Sequence, residues 1–317
     1  LSEGPAERVR PGVYIPNFNG GEHLARALES LRAQTREVEV VVVDNASSDG
    51  SDQMVAERFP EVRLLRLGEN LGFGTALNRA VEAHPGDPIV LFNNDAEAEP
   101  RFVEALLDEL GTGVDSVAGV LVQERDPRLI DSAGVVADKT LMGFDHLHGE
   151  PVAAAAGAPA PLGPTGGAAL YRHEAFLAVG GFDERMFLYY EDLDLALRLA
   201  ARGGRCRLAG EARAVHVYSA TLGAGSAAKY ERTGWSRGYM LRRYDVTADP
   251  RLALRAIATE GVLCAGQIVK EHTAAGLRGR LAGFRAGGGL EPRDVDGARL
   301  LDLSARQALA LRRRRRG

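Results

Sequence analysis

The sequence of 317 residues contains only two cysteines, Cys206 and Cys264, and they form no Cys-x-x-Cys pair. That is too few for a disulfide framework, and it fits a reducing compartment with both thiols acting as small buried apolar groups. Long apolar runs are also missing. The most apolar late stretch, residues 261–269, is closed by Glu260 and Lys270, well short of the ~20 residues a membrane span needs. No signal peptide reads in residues 1–10, which are mixed and charged, and a chain opening at Leu1 rather than Met is expected to lack native residues in front. The expected location is therefore the cytoplasm. No Gly-x-Gly-x-x-Gly follows the first apolar run, which excludes a dinucleotide-binding dehydrogenase. The segment in that place, Pro16-Asn17-Phe18-Asn19-Gly20-Gly21, carries no Arg or Lys, which argues against a nucleotidyltransferase. Positive charge is scarce over most of the chain. The net charge is −4, but residues 251–317 hold 14 Lys+Arg against 6 Asp+Glu, or +8, which leaves −12 on residues 1–250. So acidic a body speaks against a nucleic-acid partner, whereas the basic end suits an anionic membrane face.

What is present is ordinary globular material, 45% hydrophobic and 26% charged, enough to bury a large core. In the first third, short apolar runs alternate with helix-like segments. Residues 13–15 form an apolar run. Gly21–Arg32 reads as a helix with Leu24, Ala27, Leu28 and Leu31 on one face, residues 38–43 are nearly all valine, residues 51–59 are helix-like and 62–67 strand-like. Residues 71–83 read as a helix, and Ile89–Phe92 is a buried strand. Such alternation implies crossover connections and a mostly parallel central sheet flanked by helices, an α/β fold. Ligands in these sheets bind beyond the carboxyl ends of the strands. Three polar clusters fall there: Asn17-Phe18-Asn19, Asp44-Asn45 and Asn93-Asn94-Asp95. Residues 149–164, rich in Ala, Pro and Gly, read as a mobile loop. Further helices are expected over residues 191–202, 251–273 and 300–316.

Several groups suggest chemistry, each with a plainer reading beside it. Asp95, just past a buried strand, is placed to hold a divalent cation that neutralises a departing diphosphate; it is equally compatible with an Asn-Asp turn. Asp44 can accept a hydrogen bond from a pyrimidine imide, or serve as a loop or cap residue. Tyr189-Tyr190-Glu191-Asp192-Leu193-Asp194 clusters three carboxylates at a helix N-terminus, where the dipole favours ionisation and a general base could act; acidic capping gives the same pattern. His216, in Val215-His216-Val217-Tyr218-Ser219-Ala220-Thr221, can be a metal ligand or a packed core histidine. Asn70-Leu71-Gly72-Phe73-Gly74-Thr75-Ala76-Leu77-Asn78 sets two glycines ahead of a helix, which lets backbone approach a ligand.

Taken together and in order, these pieces resemble the family 2 glycosyltransferases of GT-A fold, in particular their bacterial rhamnosyltransferase-like branch. The resemblance covers roughly residues 10–245. It rests on Val-Val-Val-Asp-Asn-Ala-Ser-Ser-Asp-Gly-Ser (41–51), Asn-Leu-Gly-Phe-Gly (70–74), Asn-Asn-Asp (93–95), Gly-Gly-Phe-Asp-Glu (180–184) and Tyr-Glu-Asp-Leu-Asp-Leu-Ala-Leu-Arg (190–198). It implies a nucleotide-sugar-dependent catalytic domain over residues 1–245 and a C-terminal helical, basic extension over 246–317. By this resemblance Asp44 reads the pyrimidine, with Pro16, Asn17 and Asn19 beside it and Asn45 adjoining. Asn93, Asn94 and Asp95 stand at the family's Asp-x-Asp metal motif, with Asn in the first place and so one charge fewer. Asp192 matches the catalytic base, supported by Glu191, and His216 a late histidine that completes the metal site with Asp95. Gly72, Phe73, Asn78, Gly166 and Gly167 line the donor, and Trp235 and Arg237 occupy an aromatic and basic segment near the diphosphate.

The implied reaction is an inverting single displacement assisted by Mg²⁺ or Mn²⁺, with the His ligand leaning toward Mn²⁺. Relatives of this pattern often use dTDP-L-rhamnose; a UDP-sugar is the alternative, since Asp44 does not distinguish uracil from thymine. The expected acceptor is a glycan, a lipid-linked sugar or a small natural product, on the pathway to cell-envelope polysaccharide. The basic end, with residues 251–273 in the interface, would give peripheral contact with the inner face of the cytoplasmic membrane. A reading of another class is a nucleotide-sugar-binding partner subunit without catalysis.

Overall fold

The computed structural model describes residues 10–216 and 226–314 of the chain; residues 217–221 of the stretch around His216, and Arg315 and Arg316 of the basic end, lie outside the described residues. In chain order the elements are β1 (Gly12–Asn17), α1 (Gly21–Arg32), β2 (Glu39–Asp44), α2 (Ser51–Arg58), β3 (Arg63–Arg66), α3 (Phe73–Ala83), β4 (Ile89–Phe92), β5 (Ala96–Ala98), α4 (Phe102–Asp108), β6 (Ser116–Gln123) and β7 (Ile130–Ser132). They continue with β8 (Val135–Ala137), β9 (Gly143–Asp145), β10 (Ala168–Tyr171), α5 (His173–Ala178), α6 (Glu191–Ala201), β11 (Cys206–His216), α7 (Ala227–Arg243), α8 (Pro250–Lys270), α9 (Ala275–Ala286) and α10 (Ala305–Arg314).

Alternation within the strands builds two cores, because successive side chains leave a strand on opposite faces. Val13, Ile15, Val42, Val90 and Phe92 join α1 and α4 on one face, while Tyr14, Val41, Val43, Ile89 and Leu91 join α3 and part of α6 on the other. Strands buried on both sides must be apolar throughout, which is why β2 and β4 read as unbroken runs. The sheet order is β3-β2-β1-β4-β10-β6-β11-β5, with β7 paired to β6. β1 pairs in parallel with β2 and β4, and β2 with β3. Beyond β4 the sheet is mixed: β10 runs antiparallel to β4 and β6, and β6 is parallel to β11. The parallel rule thus holds for the βα repeats of the first third and lapses where strands follow without a crossover helix. β8 and β9 form a separate ribbon.

Two sequence expectations are corrected. Residues 149–164 are not a free loop: bridges from Leu129 to Pro151 and from Val135 to Gly163, together with buried Ala155, tie the segment down. The expectation that no segment reaches membrane-spanning length counted Glu260 as an interruption. The helix α8 runs through it for 21 residues, and an 18-residue window within it has a mean hydropathy of 1.4, so the helix is long and apolar enough to cross a membrane by length and composition.

The last helices pack back on α7 through glycines. A Cβ on Gly283 would lie 1.8 Å from the carbonyl oxygen of Trp235, and one on Gly238 would lie 2.0 Å from that of Arg280. The α7 and α9 backbones therefore touch directly, which only glycine permits.

Candidate active site

The carboxyl ends of β1, β2 and β4 come together, and Asn17 joins them. Its amide donates to Asp44 Oδ1 at 2.9 Å, to Ser47 at 3.1 Å and to Ser51 at 2.9 Å, while its own oxygen accepts from Asn94 at 3.0 Å. Asp44 is buried, and Ser47 donates to it from both backbone N–H and hydroxyl. Asn19, exposed and in the left-handed region at φ 54°, accepts from the Ser48 N–H. Pro16 sits half-buried in β1 opposite Val43. Asn45 holds the following turn by accepting from Leu71 N–H and donating to the Gly72 carbonyl. Gly72 is obligatory there: its φ is +83°, and a Cβ would lie 2.2 Å from the Phe187 carbonyl oxygen. Asn78 clamps the backbone of Phe182, donating to its carbonyl and accepting from its N–H, both at 2.9 Å. Asn78 thus anchors the 180–184 segment.

The second cluster lies at the ends of β4 and β11. His216 Nε2 faces Asp95 Oδ1 at 3.4 Å and the Asn93 amide at 3.4 Å, and its Nδ1 meets Asp131 Oδ2 at 2.7 Å. Burial alone would depress the imidazolium, but the hydrogen bonds and charges of Asp131 and Asp95 outweigh it and push His216 up to about 10. Asp131, on β7, is the residue sequence reasoning missed. It stands 85 positions from His216, and only the β7-β6-β11 pairing brings the two together. Its own carbonyl also meets His148 Nδ1 at 2.7 Å. Among the described residues, no three His, Cys, Asp or Glu side chains are arranged to hold a metal by themselves. Asp95 and His216 nevertheless offer one oxygen and one nitrogen at a separation suited to two ligands of one cation, and diphosphate oxygens would supply further ligands.

Residues 165–167 connect this cluster to α6. Thr165 Oγ1 lies 3.5 Å from Asp192 Oδ2. Gly166 abuts the Phe73 ring and Gly167 the Asn93 amide, where a Cβ would come within 2.7 Å of either. Asp192, the donor-side turn and the Asp95–His216 pair are thereby set around one stretch of backbone. Two successive left-handed residues, Tyr189 and Tyr190 at φ 70° and 69°, precede α6 and fix its first turn. Its three carboxylates have separate fates. Asp194 is fully buried and taken by Arg198, Arg293 and the Tyr244 hydroxyl. Glu191 is buried with one oxygen unpartnered; burial first, and then the charge of Asp192, push it up to about 8. Glu191 therefore holds its proton at neutral pH, and Asp192 beside it is half-exposed.

Arg237 stands apart from both clusters, while Trp235 packs in the core that also takes Tyr190 and Leu193. Trp235 stacks on Tyr239 with ring centroids 5.2 Å apart. Arg237 is 1% exposed and gives its guanidinium to Glu260, the Leu141 carbonyl and Thr140. None of these partners belongs to the Asp44 or Asp95 clusters, so the guanidinium is committed to the seam between α7 and α8.

Comparison with known proteins gives the family and the fold. Over 226 residues the chain is 34% identical to the N-acetylglucosaminyl-diphospho-decaprenol L-rhamnosyltransferase of Mycobacterium tuberculosis, covering 62% of this chain and 71% of that one. It is 30% identical over 218 residues to the succinoglycan biosynthesis protein ExoA of Rhizobium meliloti, covering 66% of this chain and 64% of the other. Among solved structures, the mannosyltransferase PcManGT from Pyrobaculum calidifontis, in complex with GDP-Man and Mn²⁺, superposes with a TM-score of 0.52 at 20% identity, covering 90% of this chain and 89% of that one. S. aureus TarS 1-349 with UDP-GlcNAc gives 0.51 at 18% identity over 73% of this chain and 66% of that one. Both show the GT-A-like fold. Residues 12–179 match Glycosyl transferase family 2, and the chain belongs to that family as a rhamnosyltransferase-like glycosyltransferase.

Proposed function

We propose that the chain transfers a sugar, with inversion, from a nucleotide-diphosphate donor to an acceptor hydroxyl, with dTDP-L-rhamnose as the donor and a polyprenyl-diphosphate-linked sugar as the acceptor. The observation that carries the mechanism is the 165–167 segment: the Thr165 hydroxyl lies 3.5 Å from Asp192, and Gly167 abuts Asn93, beside Asp95 and His216. The rhamnose and the lipid-linked acceptor follow from the Mycobacterium tuberculosis relative's name, and the pyrimidine carrier dTDP from the place of Asp44 at the end of β2.

Asp192 accepts the proton of the acceptor hydroxyl while that oxygen attacks the anomeric carbon from the face opposite the nucleotide. The new glycosidic bond forms as the bond to the diphosphate oxygen breaks, and one displacement inverts the centre. Glu191, neutral beside it, avoids a second buried charge. Asp95 and His216 are the residues that would hold a divalent cation, Mg²⁺ or Mn²⁺, which supplies Lewis-acid neutralisation of the departing diphosphate. Asp131 orients His216 through Nδ1 so that Nε2 faces Asp95, the arrangement in which a carboxylate fixes a ligating imidazole. The nucleotide base lies by Asp44 and the turns of Asn19 and Gly72, at the carboxyl ends of the parallel strands.

Calorimetry with dTDP-rhamnose, UDP-glucose and UDP-N-acetylglucosamine, with and without Mn²⁺, followed by turnover on a lipid-linked acceptor, tests the reading. Metal-dependent binding of dTDP-rhamnose with product of inverted configuration is expected. Preference for a UDP-sugar would overturn the donor assignment, and donor binding without turnover would favour a binding subunit.

A further inference from the structure

The helix α8 is amphipathic the wrong way round for a helix of a water-exposed surface. Its buried face carries Thr259, Glu260 and Gln267 beside Ala256 and Cys264. Its outer face carries Leu254, Ile257, Val262, Ile268 and Val269, from 43% to 72% exposed. Ala258, Gly261 and Ala265, all exposed, fill the same stripe at helical spacing. The result is an uncharged apolar strip along a helix about 30 Å long. The neighbouring α9 adds Leu277 and Leu281, at 40% and 50% exposure. Among the described residues, eight of the nine large hydrophobic side chains left exposed fall between Leu254 and Leu311. Scattered exposed leucines need no explanation, but a continuous strip does.

The inner face explains why α8 lies along the protein. Arg255 reaches Asp138 and the Leu303 carbonyl, Glu260 bridges Arg237 and Arg280, and Gln267 packs on Gly276. Burial would raise the Glu260 carboxyl, but the two guanidinium groups hold it below the usual range, so the tie is ionic. Two polar ties, at Arg255 and Glu260, and the packing of Gln267 hold one side of the helix and leave its apolar side free. A helix so tethered lies flat against whatever covers it and does not cross it.

We propose that this α8–α9 face docks on an anionic lipid bilayer, with the apolar strip inserted among the acyl chains. Charge selects this occupant over a second copy of the chain. Residues 250–286 hold 6 Lys+Arg against 2 Asp+Glu, or +4, and exposed Arg251, Lys270, Arg278 and Arg285 flank the strip on α8 and α9. Two such faces would repel each other, whereas phosphate headgroups attract them. An apolar helix face framed by basic residues is the interfacial pattern. The docking face is also rigidly linked to the catalytic helix. Arg255 holds Asp138 and Arg237 holds Leu141; two residues on, Gly143 packs on Leu193 and Tyr190, next to Asp192. The inference does not depend on the assignment of donor or acceptor.

The test is co-sedimentation of the full chain with phosphatidylcholine vesicles, with and without phosphatidylglycerol. Wild type should bind the anionic vesicles and release in high salt. Ile257→Glu with Val269→Glu, both on the exposed strip, should weaken binding at least about tenfold with unchanged circular dichroism. Arg278→Gln with Arg285→Gln should weaken binding about tenfold or more at low salt. No vesicle binding by wild type, or binding indifferent to the Ile257/Val269 pair, would overturn the inference. So would self-association in sedimentation velocity that those substitutions abolish while vesicles are ignored. Turnover on a soluble acceptor separates this outcome from failure of the catalytic reading, because the strip variants should keep it.

Discussion

The carboxyl-end clusters and the α7–α9 layer deal with charge in opposite ways. At the ends of β1, β2, β4 and β11, the polar side chains Asn17, Asp44 and Asp95 close the rim of an apolar core, largely buried and held by one another and by His216. In the α7–α9 layer the charges, Arg237, Glu260 and Arg280, are inside and the large aliphatic groups outside. The first arrangement gathers hydrogen-bonded polar groups beyond the carboxyl ends of the strands, where ligands of such sheets bind. The second pairs its central buried charges with one another, Glu260 with Arg237 and Arg280, and it presents to the exterior what a core normally hides. Burial pattern, more than composition, tells the two apart.

The comparison can be broken at several points. The largest effect should come from Glu260→Gln, which leaves Arg237 buried with half its partner and should cost about 3–5 kcal/mol of stability. Urea unfolding measures it, and a shift near zero would mean that the inner charges are not holding the layer. Next, Asp192→Asn should bind donor normally and turn over at least about 10²-fold more slowly. Near-normal turnover would remove Asp192 as the base. Third, Asp131→Asn should weaken Mn²⁺ binding about 10–100-fold with the fold intact. The readout is calorimetric metal affinity in the presence of nucleotide diphosphate, and unchanged affinity would reduce Asp131 to packing.

The smallest effect separates Glu191 from Asp192. With Glu191 already neutral at pH 7, Glu191→Gln should change turnover there by only a few-fold or less. The sign of its contribution to stability is testable too. Between the ordinary value of 4.5 and about 8, the folded chain keeps a proton that the unfolded chain has lost, so stability falls as pH rises across that window. The Gln variant should lose that part of the slope. His216, raised from 6.5 to about 10, acts in the same direction over the higher window in metal-free protein: its stabilising effect is full below 6.5 and is lost as pH rises through 10. Denaturant midpoints at several pH values in chelator would show both windows.

Local sequence carried much of the first third. β4 lies at Ile89–Phe92 and α1 at Gly21–Arg32 as the periodicity predicts, because a strand buried on both faces and a one-sided helix each leave a period in the chain. The three polar clusters at strand ends were legible for the same reason. The middle of the sheet was not: β10 pairs with β4 and β6, and β11 with β6, across long separations, and no local pattern announces such partners.

The sequence by itself determined the apolar strands, the acidic first turn of α6 and the glycines that let turns close, since each is a property of neighbouring residues. It also displayed Asp44, Asp95, Asp192 and His216. Only the tertiary structure decided what these residues face. It joined Asp131 to His216, removed Asp194 into an ion pair and turned Arg237 inward to Glu260. It also turned the apolar side of α8 outward. Hydrophobic periodicity reports that a helix has two faces; which one meets the protein is set by the partners across the seam, here two arginines that a single glutamate satisfies.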